Sequence, residues 1–162
     1  MKSKKDSVAE LDSCDRKILK ELQRDAGLTN QELAERISLS PSPCLRRVQA
    51  LEKSGVIRKR VALLDSEKLG LELTALIRIS MDRHTPERFA GFEDQIRLYP
   101  EIQECYLITG QEADYLVKAV VRDMVHFQEL LLERLTRIEG VTGVHSSFVL
   151  RRVVDSTELP VL

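Results

Sequence analysis

Apolar residues change their spacing partway along this 162-residue chain. As far as Gly55 they recur every three or four positions, the spacing of helices with one buried face. A first helix opens at Asp12 or Asp15, either of which accepts bonds from first-turn N–H groups, and sets Ile18, Leu19 and Leu22 on one side before Gly27 ends it. Thr29-Asn30-Gln31-Glu32 is a capping box that starts a second helix with Leu33, Ala34 and Ile37 inside. Ser40 caps a third, whose first turn tolerates Pro41 because that position needs no helical N–H. Cys44, Val48 and Leu51 form its apolar stripe, Ser42, Arg46, Arg47 and Gln49 its outer face, and Gly55 stops it. About three residues separate the second and third helices, which predicts the tight crossing of a helix-turn-helix. Val56 to Leu64, β-branched with a basic centre, is expected to extend as a wing or edge strand.

After the polar connector at 65–70 the period falls to two. Leu73, Ala75, Ile77, Ile79 and Met81 alternate with Thr74, Leu76, Arg78 and Ser80, a strand with one covered face. Thr85-Pro86 opens a helix with Phe89, Phe92 and Ile96 inside, closed by Tyr99-Pro100. Strands follow from Glu101 to Thr109 and from Tyr115 to Arg122, joined by a turn at Gly110. Asp123 caps a helix that buries Phe127, Leu130, Leu131, Leu135 and Ile138 and stops at Gly140; a last strand runs from Val144 to Val153, followed by a tail. The predicted class is α+β: a winged helix-turn-helix over residues 1–64, a linker at 65–70, and a ferredoxin-like βαββαβ domain over 71–162. Its four-stranded antiparallel sheet would carry both helices on one face. The bare face of so small a domain predicts a homodimer packed through it.

Charge separates the same two parts. The whole chain has a net charge of -1, but residues 1–63 hold 14 basic and 9 acidic residues, and the remainder 11 and 17. All four Phe and three Tyr lie beyond residue 88. The basic part therefore has no rings on which to stack single-stranded bases, and double-stranded DNA is its expected partner. Arg46-Arg47 alone would read as a solvated helix face. The capping box, the tight turn, the Ser-Pro start and the basic Arg58-Lys59-Arg60 converge on it and favour phosphate and groove contact.

Other classes find little support. No stretch approaches ~18 apolar residues, and the basic start has no apolar segment behind it, so neither a membrane span nor a secretory signal is expected. Three scattered cysteines without a CxxC pair and three dispersed histidines give no disulfide framework, and no metal or cofactor is expected; they fit a reducing cytoplasm. No phosphate loop, GxSxG or HExxH motif points to catalysis. Thr109-Gly110-Gln111-Glu112-Ala113-Asp114-Tyr115 remains. A glycine turn there would offer backbone N–H groups to a carboxylate, with Asp114 placed to hold an ammonium: together, the two ends of a free amino acid. Spacing alone favours an ordinary hairpin with a turn aspartate.

LTNQELAERISLSPSPCLRRVQALEKSGVI, LTALIRIS, CYLITGQEADYLVKAVVRDM and GVHSSFVLRRVVDSTELP, in this order and spacing, resemble the leucine-responsive/asparagine-responsive (Lrp/AsnC) family of bacterial and archaeal transcription regulators. The resemblance runs from about Leu11 to Leu162. It implies dimers built through the sheet, often assembled further to a tetramer or octamer, and an amino acid or related small-molecule effector bound at contacts between dimers. Carried over by position, Ser40, Ser42, Pro43, Arg46 and Arg47 fall at the start of the family's recognition helix. Thr109, Gly110, Asp114 and Tyr115 fall on its effector loop, with Ser146 and Ser147 on the last strand nearby. The family commonly has two residues between the loop glycine and aspartate; here there are three, which leaves open whether the loop keeps its ligand. The expected function is a cytoplasmic, nucleoid-associated, sequence-specific DNA-binding regulator, not an enzyme, whose assembly or affinity follows a small effector. The alternative is a ligand-independent architectural protein that bends or wraps DNA.

Overall fold

A computed structural model describes residues 9–110 and 112–161; the first eight residues, Gln111 and Leu162 lie outside the described residues, and with them both chain ends of the expected domains. The chain forms two units. One is residues 64–153; the other joins the chain up to residue 63 with residues from 154 on.

In the amino-terminal unit, α1 (Ser13–Arg24) starts on a capping box in which Asp12 receives the N–H groups of Cys14 and Asp15 while Asp15 reaches back to Asp12. α2 (Asn30–Arg36) starts on the expected Thr29–Glu32 box. α2 ends in a Schellman motif: Leu39 N–H donates to Ala34 O at 2.9 Å and Ser38 N–H to Glu35 O at 3.2 Å. That geometry needs a positive φ, and Ser38 takes it at 58° where glycine is usual. The chain is thereby turned directly into α3 (Pro41–Lys53). Ile18, Leu33, Ala34, Cys44, Val48 and Leu51 are buried between the three helices.

Two expectations change here. Val56 and Ile57 pack against this core, but residues 58–64 run on with no strand assigned among the described residues. β-branched composition favours extension, yet a strand also needs a neighbour for its N–H and C=O groups. The tail, expected with the second domain, instead packs on α1. Gln23 Nε2 donates to Leu159 O at 3.1 Å, Leu159 N–H donates to Gln23 Oε1 at 2.6 Å, and Val161 joins the helical core.

The second unit has a sheet of order β2-β3-β1-β4, with β1 Leu73–Met81, β2 Ile102–Leu107, β3 Tyr115–Val121 and β4 Val141–Phe148. β1 is antiparallel to both β3 and β4, with Ile77 opposite Val117 and Ser146. α4 (Pro86–Ile96) and α5 (Met124–Glu129) cover one face, where Phe92, Ile96, Phe127, Leu130, Leu135 and Ile138 meet Ala75, Ile77, Ile79, Val117 and Ala119. α5 does not continue to Gly140 as one regular helix. Leu130–Arg134 forms a π-turn, in which Leu135 N–H donates back to Leu130 O, and Leu135–Arg137 tightens to a 3-10 turn. The reason lies in the spacing. Leu130 and Leu135 are both wholly buried, and a five-residue turn puts them on one face where a plain α-helix would not. β4 also begins three residues earlier than expected and ends five earlier.

Candidate functional site

α3 presents the first candidate surface. Cys44, Val48 and Leu51 anchor it inward, and Ser42, Arg46 and Gln49 face outward and are exposed. Ser40 occupies the N-cap position with no side-chain cap bond, and Pro43 is half-buried beside it. Burial pushes the Cys44 thiol up, as suits a small core filler. Arg58, Lys59 and Arg60 are exposed beyond the helix, with Arg60 bonded to Glu52 at 3.0 Å.

Arg46 and Arg47 separate. Arg47 Nη1 lies 2.6 Å from Asp12 Oδ2 and 2.9 Å from Asp15 Oδ1, so it ties α3 to the start of α1. The N–H of Asp15, and then the Arg47 guanidinium, hold the Asp12 carboxyl below the ordinary carboxylate range. Two carboxylates already face Arg47, whereas Arg46 projects from the helix beside Leu45. Sequence spacing overlooked Leu45, which is 46% exposed among these polar side chains. Its signal was available: it stands outside the i, i+4, i+7 stripe.

The second candidate is the loop between β2 and β3. Thr109 and Gly110 are exposed at its tip. Gly110 keeps a φ outside the left-handed region, and space is open where a Cβ would stand. The Asp114 carboxylate is already engaged: Met81 N–H donates to it at 2.7 Å, and His84 Nε2 lies 2.8 Å away. Arg78 Nη1 bonds Glu112 Oε2 at 2.6 Å, and Ser80 Oγ donates to Glu112 O. The loop thus rests against the outer face of β1. Ser147 shares that face, because it pairs with Leu76, while Ser146 pairs with Ile77 and turns to the helix side. The expected pair is split between two faces, as the strand period of two requires.

Tyr115 does not belong with the loop residues. It is 1% exposed, with Phe92 at 4.4 Å between ring centroids and Phe89 at 5.7 Å, and its hydroxyl donates to Glu93 at 3.2 Å. Burial, then the Glu93 charge, push its ionisation well up. It is a core residue at the base of the loop, where position alone had suggested effector contact.

The comparisons with known proteins separate the same helical unit and sheet domain, although the second match takes in tail residues that pack on α1. The profile of the winged helix-turn-helix DNA-binding domain matches residues 11–58, and that of the Lrp/AsnC ligand binding domain matches residues 74–159. The leucine-responsive regulatory protein of Escherichia coli K12 is 41% identical over 157 residues, covering 97% of this chain and 95% of that protein. A transcriptional regulator of Neisseria meningitidis, solved as a complex with L-methionine, superposes with a TM-score of 0.89 at 43% identity, over 93% of this chain and 97% of that one. An AsnC family transcriptional regulator of Agrobacterium tumefaciens gives 0.87 at 37% identity, over 93% and 97%. These relatives are regulators, not enzymes. Two matched domains in the same order as the two folded units, and relatives alike over nearly the whole length, place the chain in the Lrp/AsnC family of DNA-binding transcriptional regulators with a ligand-binding domain.

Proposed function

We propose that this chain acts in the cytoplasm, on the nucleoid, as a dimer or higher assembly whose α3 helices read duplex DNA, and that an amino acid at the 109–114 loop shifts its assembly or affinity. The carrying observation is α3 itself: an apolar stripe locked into a small core, with Ser42, Arg46 and Gln49 left outside it. Arg46, Arg58, Lys59 and Arg60 are the side chains proposed to reach DNA, with Ser40, Ser42 and Pro43 close to the groove. Arg47 supports them by holding α3 against α1. Arg46→Ala is expected to weaken duplex binding by ~1–3 kcal/mol. Arg47→Ala should act instead through a loosened α1–α3 contact, visible as a lower melting temperature. Mobility shifts on duplexes recovered from fragmented genomic DNA check this. No retention of any duplex at low salt would overturn the reading.

The outer sheet face supports the dimer. Leu76 is 39% and Tyr106 51% exposed there, beside Arg78, Lys118 and Glu104. The loop lines neither the cavity of about 470 Å3 beside α4 nor that of about 420 Å3 along β2. Thr109, Gly110 and Ser147 are all exposed, so a second copy packed there would supply further walls to a ligand.

Because Asp114 already has partners, the ligand-independent architectural reading stays in play, and one experiment separates the two. Asp114→Ala strips the Met81 N–H of its acceptor and is expected to destabilise the fold by ~1–3 kcal/mol. Asp114→Asn keeps an acceptor and should restore most of that. Each of the twenty amino acids is a probe, beginning with L-methionine, with which the Neisseria regulator was solved as a complex. Specific binding must raise the melting temperature of the wild type. If Asp114 holds an ammonium, the Asn variant recovers stability without the response. If no amino acid shifts the wild type, the ligand-independent reading stands.

A further inference from the structure

We infer that Leu45 is a specificity-determining residue that reads the C5-methyl group of a thymine in the DNA site. The inference rests on α3 being the groove helix, and it begins from an apolar residue the fold does not use. Cys44, Val48 and Leu51 are 0%, 6% and 5% exposed and carry the packing of α3, whereas Leu45 is 46% exposed. A single exposed leucine on a protein surface needs no explanation. The surroundings of this one do. Helical spacing puts Ser42 one turn before it and Gln49 one turn after it, with Arg46 adjacent, so it stands in the middle of the hydrogen-bonding face.

It also stands in the amino-terminal half of α3, the part that meets base edges when such a helix enters the major groove. Every base edge there offers hydrogen-bond donors or acceptors, and one base adds an apolar group: thymine, through its C5-methyl. Leucine can make no hydrogen bond, so opposite any other base edge it would strip water from a polar group without replacing it. Opposite thymine it buries methyl against methyl. Gln49 fits the same assignment, since its amide suits the N6/N7 edge of adenine. The four residues from Leu45 to Gln49 advance ~6 Å along the helix, close to two base steps of ~3.4 Å. The thymine read by Leu45 should therefore lie within about two base pairs of the position that responds to Gln49→Ala.

Deoxyuridine, which lacks the methyl and keeps the pairing, tests this. The full-length wild type selects duplexes from a random pool, and each thymine of the best duplex is then replaced singly by uracil. At one position per half-site the replacement is expected to weaken wild-type binding about fourfold, the equilibrium factor for one CH2-sized group losing its burial. Leu45→Ala should bind the thymine and uracil duplexes equally, and Leu45→Met, which keeps an apolar tip, should retain the preference. If no thymine distinguishes wild type from Leu45→Ala, or if the Ala variant changes oligomeric state while keeping the preference, Leu45 does not read the methyl. A wild type that retains no duplex from the pool overturns the groove-helix reading along with it, which is a different result from binding without discrimination.

Discussion

Raising the salt from about 50 to about 200 mM is expected to weaken duplex binding by about a thousandfold to a hundred-thousandfold. The expectation comes from where the charge sits. The chain as a whole has a net charge of -1, so no diffuse positive field draws it to DNA. On the proposed reading the phosphate contacts come from Arg46, Arg58, Lys59 and Arg60, four of the exposed cations of the amino-terminal unit. Four cations per chain would make about eight in the proposed dimer, inside the range of six to ten phosphate contacts for which that loss holds. Each phosphate neutralised releases about 0.9 counterion, so the slope of affinity against salt counts the contacts. Replacing Arg58, Lys59 and Arg60 by alanine should flatten the slope by about one for each side chain that touches a phosphate. Arg60 is the informative member, because it must leave Glu52 to do so. A slope near zero in the wild type would mean that these cations do not carry the binding.

Much of this was legible in the sequence because the signals were local. Capping residues at Asp12, Thr29 and Asp123 mark helix starts within one residue, since each satisfies N–H groups only a few positions away. The alternation along β1 fixed which of its faces is buried. What escaped depended on partners distant in the chain. The 58–64 segment has the composition of a strand, but its neighbour is not specified by its own residues. Past Phe148 the tail carries apolar, valine-rich pairs, Val149-Leu150 and Val153-Val154, yet beyond Val149 it leaves the sheet and Leu159 meets Gln23. The π-turn at Leu130 was written in the five-residue gap between buried leucines and was hidden by assuming a constant helical period.

The sites follow the same rule. Arg46 and Arg47 are identical letters side by side, and only the positions of Asp12 and Asp15, more than thirty residues earlier, decide that Arg47 is engaged within the fold. Tyr115 stands next to Asp114, but strand geometry sends successive side chains to opposite sides. It therefore ends in the core while Asp114 stays at the loop. Adjacency in sequence suggested one site, and the pleat divides it.

That core supplies the second large effect. Phe92→Ala removes a wholly buried ring that packs, tilted, against Tyr115 between α4 and the sheet. Truncations of this kind cost ~3–5 kcal/mol, the lost transfer energy together with the cavity left behind. In a unit of this size the melting temperature should fall by roughly 4–8 °C for each kcal/mol. The chain carries its own reporter. It has no tryptophan, and its three tyrosines, Tyr99, Tyr106 and Tyr115, all lie in the 64–153 unit. Near-ultraviolet circular dichroism therefore follows this unit alone, whereas the far-ultraviolet helix signal also includes α1 to α3. Phe92→Ala should displace the tyrosine transition. Ile18→Ala, which opens a cavity in the other core, should displace the helix signal and leave the tyrosines near their wild-type midpoint. A tyrosine transition shifted as far by Ile18→Ala as by Phe92→Ala would show that the two cores melt as one. Any effect of a ligand at the loop on α3 could then travel through shared stability and would need no change of assembly.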